Sequence, residues 1–335
     1  MANLKFDSRP VNAPKDGDYE DRPQVDYTAM NKHVVDTVGC PEGKTKQGVV
    51  VGIIDLGVQQ LPDAEYDLEG ADEVGKTIAQ LNEFFADKIA DGSITKFAEV
   101  PDYKNKGKTK IVKVVPQKPC QCVDLVVDFP NIIVDKGQFA GESNPQPYRQ
   151  NFGGSFYFKK ADGTGEMRLQ RPIKLKLTKD ANIGWTITPL NILYKLAVAG
   201  GLIKKGEPFL PDQIGELLGV NAQFKITAKG SQVGDKYYLN ERIAFVDSLL
   251  EEFQTPITDQ RTFMVLFNSH DNEEKDLKEL RFNQINQIKY ANDYEGSVIQ
   301  SQLEAQRSGN QDKPQNENGG SVKVETSDPS EDLPF

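Results

Sequence analysis

Histidine and cysteine are scarce in this chain of 335 residues: the imidazoles are His33 and His270, and the thiols are Cys40, Cys120 and Cys122. Two imidazoles leave little for histidine-based acid–base chemistry, and neither a Cys–His nucleophile pair nor a Ser-His-Asp order is visible. A Walker A loop and a dinucleotide-binding glycine fingerprint are absent, which argues against the common nucleotide enzymes, and no cofactor is expected. Long apolar runs are missing as well. Met1-Ala-Asn-Leu-Lys-Phe6 has no signal-peptide core, which leads to the expectation of a cytoplasmic protein that does not enter a membrane.

Three cysteines fit a reducing compartment. Cys120-Gln-Cys122 together with Cys40 has a tighter spacing than the usual zinc loop, so ordinary buried thiols on a strand are set against a metal site. Positive charge is also short. Forty Lys and Arg face fifty Asp and Glu, a net charge of -10, whereas a surface that holds a nucleic-acid backbone must be positive. Distribution answers part of that objection. Lys104 to Lys118 holds six lysines, and Lys159 to Lys179 holds seven basic residues against Asp162 and Glu166. Asp55 to Asp102, by contrast, carries twelve acids and three lysines. Such blocks permit a cationic binding face without requiring one, because a run of lysines is often only a solvated surface.

What is present reads as mainly β with α insertions. A hydrophobic content of 37% allows one large core or two modest ones. Residues 1–46 are rich in Pro, Asp, Lys and Gly and read as an extended arm with one short element near Tyr27–Val38. Gly48-Val-Val-Val-Gly-Ile-Ile-Asp-Leu-Gly57 is a β-branched run bounded by glycines, a strand able to bend at Gly52. Helical spacing of Val74, Ile78, Leu81, Phe84, Phe85 and Ile89 predicts an amphipathic helix. Short strands follow at Ile111–Val115, Cys122–Phe129 and Asn131–Val134. Asp124 and Asp128, four apart on a strand, share a face and raise the alternative of a metal-dependent nuclease, but no His or Glu cluster accompanies them.

Rings and cations then interleave. Tyr148, Arg149, Phe152, Phe156, Tyr157, Phe158, Lys159 and Lys160 fall within thirteen residues. Aromatic faces stack on any base while Lys and Arg hold phosphates. Phe156 and Phe158 share one strand face and are expected in the core, leaving Tyr157 on the other. Arg171 precedes Ile173-Lys-Leu-Lys-Leu177, which alternates strictly, so Lys174 and Lys176 should face outward; Trp185, the single tryptophan, follows. A helix is predicted over Pro189–Val198 with Gly200-Gly201 as its stop, and a second, short one over Leu210–Gly219. Val220–Ala228 reads as a strand, Lys229–Gly234 as a turn, and Lys236-Tyr-Tyr238 as a strand with Lys236 and Tyr238 on one face. Phe263–Phe267 reads as a closing strand and Lys275–Gln306 as helix. Residues 307–335 form a low-complexity linker ending in Glu331-Asp332-Leu333-Pro334-Phe335, an apolar hook behind acids.

That tip resembles the acidic, Phe-terminated end of bacterial and phage single-stranded DNA-binding proteins. The order of short helix, Leu217-Leu-Gly219, alternating strand, glycine-rich turn and Lys236-Tyr-Tyr-Leu-Asn240 likewise resembles the C-terminal half of phage proteins of that kind, and Gly52–Gly57 their first strand. The resemblance implies an elaborated OB-like barrel over 47–270, a helical segment over 271–306 and a disordered acidic C-terminal tail over 307–335. It implies a non-enzymatic protein of phage replication, recombination or repair, working in the host cytoplasm. Such a protein coats single-stranded DNA and recruits a polymerase, helicase or nuclease through Glu331–Phe335. Self-association is compatible with it. The DNA contacts expected on this basis are Lys108, Lys110, Lys113, Arg149, Tyr157, Lys159, Arg171, Lys174, Lys176, Trp185, Lys236 and Tyr238. The competing reading is a virion or scaffold protein, for which an acidic balance and a terminal hook are equally natural.

Overall fold

The structure is a computed structural model that describes residues 25–309 except 62, 103, 104, 106, 153, 154, 160–165, 171 and 251–254; for 155–159, 166–170 and 307–309 it describes the backbone alone. Helix α1 (Tyr27–Val38) leads into the long strand β1 (Lys44–Gln59). A small unit follows, made of β2 (Ala64–Asp67), α2 (Ile78–Phe84), α3 (Ala86–Ala90), β3 (Lys96–Pro101) and β4 (Thr109–Val115). The chain returns through β5 (Cys120–Asp135) and β6 (Pro145–Asn151). Next come the hairpin β7 (Ser155–Lys159) and β8 (Glu166–Gln170), the short β9 (Ile173–Lys174), and the hairpin β10 (Leu177–Asp180) and β11 (Gly184–Ile187). Helix α4 (Ile192–Ala199) precedes the hairpin β12 (Asn221–Val233) and β13 (Lys236–Ser248). The fold ends with β14 (Phe263–Val265), α5 (Glu274–Leu277), α6 (Phe282–Lys289) and α7 (Val298–Gly309).

The main sheet has the order β13-β12-β1-β5-β6, antiparallel throughout, with β14 and β9 as further partners of β1 and β5. Taken by order along the chain, β12, β1, β5 and β6 lie as fourth, first, second and third, a Greek key. β1 can serve so many neighbours because it breaks register between Val50 and Gly52. Up to Val49 it pairs with β12, and from Gly52 it pairs in parallel with β14 on that same side. Gly52 is required at this switch: a Cβ there would run into the Phe263 ring and Val126. The bend expected at Gly52 is thus present as a β-bulge.

Alternation along β1 and β5 sends apolar side chains to both faces. Val50, Ile53, Leu125, Val127 and Phe129 point to an inner core closed by α1, α4 and the 3-10 turn Pro211–Leu217. Val49, Val51, Ile54, Leu56, Cys122 and Val126 point outward into a second core, closed by β14 and α5 to α7 through Phe263, Leu277, Leu280, Ile288, Ile299 and Leu303. No closed barrel forms among the described residues, because no ladder joins β6 to β13. The seam is filled by the buried Tyr148 ring, whose hydroxyl donates to Glu241 Oε1 at 2.9 Å.

Several expectations are corrected. Residues 25–46 are no free arm: Asp26 caps α1, and its Val34 and Val38 are buried in the inner core. The helix predicted over Val74–Ile89 is two short ones that break at Phe85, with Val74 and Phe84 exposed, since the small unit's core is only Leu81, Ile94 and Phe97 with a few partners. Ile173–Leu177 is not one strand. The Lys176 amide donates to the Lys174 carbonyl in a tight turn, and Leu177 ends up exposed. The turn predicted over Lys229–Gly234 is strand as far as Val233, and only Gly234 and Asp235 make the corner. Phe263–Val265 closes no barrel; the helical segment expected over 271–306 consists of α5, α6 and α7.

Candidate nucleic-acid interface

The β12–β13 hairpin carries an open, cationic face. Its two-residue corner holds Gly234 at φ 56, a left-handed turn that suits the twist of a hairpin. Register then fixes the faces. Phe224, Ile226, Ala228 and Ile243 are buried inward, so the pairs Lys225↔Ala244, Thr227↔Arg242, Lys229↔Asn240, Ser231↔Tyr238 and Val233↔Lys236 point outward. Lys225, Lys229, Lys236 and Arg242 are exposed, as is Tyr238 at 42%. None of these four cations has an acid within salt-bridge distance among the described residues. Successive outward pairs lie about 6.8 Å apart, so the face is a ladder of cations with one ring among them. Tyr237 turns the other way, lying over Gly230, and α1 holds its backbone: Asn31 Nδ2 donates to the Tyr237 carbonyl at 2.8 Å.

Other cations predicted from sequence are already engaged. Lys110 is bonded to Asp67, and Lys113 Nζ lies 2.6 Å from Glu73 Oε1, the bond that holds the Glu73 carboxyl below its usual range. Arg149 gives Nε and Nη2 to Asp128 at 2.7 and 3.0 Å and Nη1 to Glu279 at 2.7 Å. Lys174 is bonded to the Gln117 side chain. By contrast Lys108 and Lys176 are exposed and make no ion pair among the described residues. A guanidinium or ammonium bound to carboxylates has little net field left for a phosphate, so the engaged group is structural first.

The β10–β11 hairpin is a second open feature. Lys179 stands directly across from Trp185, which is 59% exposed, and Ile183 at the tip is 50% exposed. A ring beside a cation on one strand face is the pairing that stacking on unpaired bases uses. Tyr157 and Lys159 lie on β7, where the side chains are not described, and Arg171 and Glu331–Phe335 lie outside the described residues.

Compared with known proteins, the chain matches no family model, no curated protein and no solved structure.

The carboxylates that hinted at metal chemistry have other partners. Asp128 holds Arg149. Asp124 is fully buried; its Oδ2 accepts from Asn151 and from Gln284 Nε2 at 2.8 Å, while Oδ1 has no hydrogen-bond partner among the described residues. Burial pushes its pKa up to about 6, against those two hydrogen bonds. Among the described residues no three His, Cys, Asp or Glu side chains gather at one point. The thiols are divided between the two cores, Cys40 inward and Cys122 outward, with Cys120 Sγ 3.8 Å from Cys122 Sγ. No helix among the described residues is long and apolar enough to cross a membrane.

Sequence reasoning missed Lys179, Lys225, Lys229 and Arg242. A signal for the last three existed. Gly234-Asp235 between two alternating runs is a hairpin corner, and counting back from it pairs Thr227 with Arg242 and Lys229 with Asn240.

Proposed function

We propose that this chain is a non-enzymatic, phage-type single-stranded DNA-binding protein with an OB-like body. The observation that carries the reading is the outward face of β12–β13, uncovered among the described residues, where Lys225, Lys229, Lys236 and Arg242 have no acid partner among those residues and stand around Tyr238. The strand order supports it: an OB-fold is a partly open, five-stranded Greek-key barrel that takes its ligand on the face of its second and third strands and on the loops between strands one and two and between four and five. Counted along the chain as one to five, β1, β5, β6, β12 and β13 lie in the order five, four, one, two, three across the sheet. Phosphates run along the cations of the hairpin, and Tyr238 stacks on a base. Trp185, with Lys179 and Lys176 near it in the chain, offers a second stacking point. In the same proposal Glu331–Phe335 recruits replication or recombination enzymes.

Fluorescence anisotropy with labelled oligo-dT and with duplex of equal length, each at two salt concentrations, tests the reading. Oligo-dT is expected to bind more tightly than duplex, with affinity that falls as salt rises and with quenching of Trp185. Equal affinity for duplex, or binding indifferent to salt, overturns it. Removing Glu331–Phe335 should leave oligo-dT affinity equal or higher and abolish capture of a partner enzyme.

A further inference from the structure

The other half of the outward face carries a second, closed feature. Glu279 lies in the link between α5 and α6, and its carboxylate is shared by two guanidinium groups from different parts of the fold. Arg149 of β6 donates Nη1 to Oε2 at 2.7 Å, and Arg261, just ahead of β14, sets Nη1 in ion-pair contact 3.1 Å from Oε1 while its Nη2 donates to the Lys275 carbonyl at 3.1 Å. Each carboxylate oxygen thus faces its own arginine, the way a phosphodiester's two free oxygens face an arginine clamp. Arg149 is oriented for this. Asp128 fixes its Nε and Nη2, so that only Nη1 is left to turn outward, and the guanidinium lies 5.8 Å from the Phe263 ring centroid. Arg261 is 55% exposed, so solvent reaches the clamp from its side. Next to it, Arg281 gives Nη1 to Asn151 Oδ1 at 3.1 Å, and Phe282 leaves its ring 68% exposed. The link is attached here by polar bonds, whereas Leu277 and Leu280 on either side of Glu279 anchor it in the outer core.

Building on the single-strand reading above, we infer that Arg149 and Arg261 form a backbone-phosphate site that Glu279 closes in the free protein by standing in for the phosphate. DNA that reaches β6 displaces the Glu279 carboxylate, and the two arginines change partner from carboxylate to phosphate. No covalent step is involved. Glu279 therefore weakens binding at this half of the face and favours strands already held on β12–β13.

The test is oligo-dT anisotropy across a salt series with the full-length chain and Glu279→Gln, a change that keeps the shape and removes the charge. Glu279→Gln is expected to bind about three- to tenfold more tightly, with a salt slope steeper by roughly 0.7 to 1.4, one or two further phosphates. Adding Arg261→Ala to it should return both quantities toward wild type. A wild-type protein that binds while Glu279→Gln binds equally or more weakly overturns the clamp and leaves the function standing. If neither protein binds, both fall. Amide exchange of the wild-type chain gives a readout free of folding effects in the variant: saturating oligo-dT should speed exchange across residues 278–282, and unchanged or slower exchange there overturns the clamp.

Discussion

The outward face of the main sheet is built in two ways. Over β1, β5 and β6 it is covered by β14 and α5 to α7, and the arginine those strands carry, Arg149, is tied to Asp128 and Glu279. Among the described residues nothing covers it over β12 and β13, and its cations have no acid partner there. The difference shows that positive charge in a sequence has two destinations. A cation beside a carboxylate within the fold spends its field there, at little net gain in stability. A cation on an uncovered strand face keeps it for a ligand. Apart from the Arg149–Arg261 clamp, the covered half should therefore govern stability, and the bare half affinity.

The largest effect that could break this division is expected from Phe263→Ala. The ring packs against Gly52 at the register switch of β1 and is 2% exposed, so its removal opens a cavity beneath β14. A loss of about 3–5 kcal/mol in urea unfolding is expected. Oligo-dT affinity measured where the variant remains folded should change by less than about threefold. A variant that stays fully stable yet loses DNA would reverse the assignment of the two halves.

Asp124 should show the next largest effect, and only as pH changes. The folded protein binds this proton more tightly than the unfolded chain, because burial raises the pKa from 3.8 to about 6. The buried charge accordingly costs stability as pH rises through that window, and the cost is complete above it. Asp124→Asn, which cannot ionise, should be more stable than wild type above pH 6 by up to about 3 kcal/mol, with the gap closing toward pH 4. Urea midpoints at pH 4, 5, 6 and 7 check this. A gap that does not depend on pH would mean that Asp124 stays charged throughout.

On the bare half, neutralising Lys225, Lys229 and Arg242 together should weaken oligo-dT binding by roughly thirtyfold and flatten the salt slope by about 2, at 0.7 per lost phosphate contact. Stability should move by less than about 0.5 kcal/mol per site, as for exposed positions elsewhere. A large loss of stability with an unchanged slope would make these cations structural.

How much of this was legible in sequence depends on whether the deciding contact is local. The strand around Gly48–Gly57, the stop of α4 at Gly200-Gly201 and the outward set of Lys236 and Tyr238 follow from period and punctuation within a few residues, whereas Tyr27–Val38 shows in sequence only as a short element within an arm. The split of the Val74–Ile89 helix does not, because the small unit's core has room for Leu81 but leaves Phe84 in solvent. The site divides in the same way. Lys236 and Tyr238 are exposed, as alternation suggests, while Lys176 is exposed in a turn and Trp185 on a hairpin that alternation does not place; the Gly234-Asp235 corner holds the pairing that would have added Lys229 and Arg242. Nothing local tells that Lys113 meets Glu73, forty residues away, or that Arg149 meets Glu279, 130 residues away.

The smallest effect, and the sharpest form of the comparison, is expected from Lys113. It belongs to the lysine-rich block Lys104–Lys118, and by composition alone it is as good a phosphate ligand as Lys229. In the fold it is 2.6 Å from Glu73, whose backbone-bonded carboxylate also accepts from the Glu69 amide at 3.3 Å. Lys113→Met keeps the length of the side chain and removes the charge. If an engaged cation is spent, oligo-dT affinity should change by less than about twofold and the salt slope by less than the 0.7 expected for one phosphate. Stability should fall by less than about 1 kcal/mol, since the pair is partly exposed. A shift in slope equal to that of Lys229→Ala would show that Lys113 leaves Glu73 for DNA. The two classes of cation would then differ in how readily they change partner, and their position on the fold would not separate them.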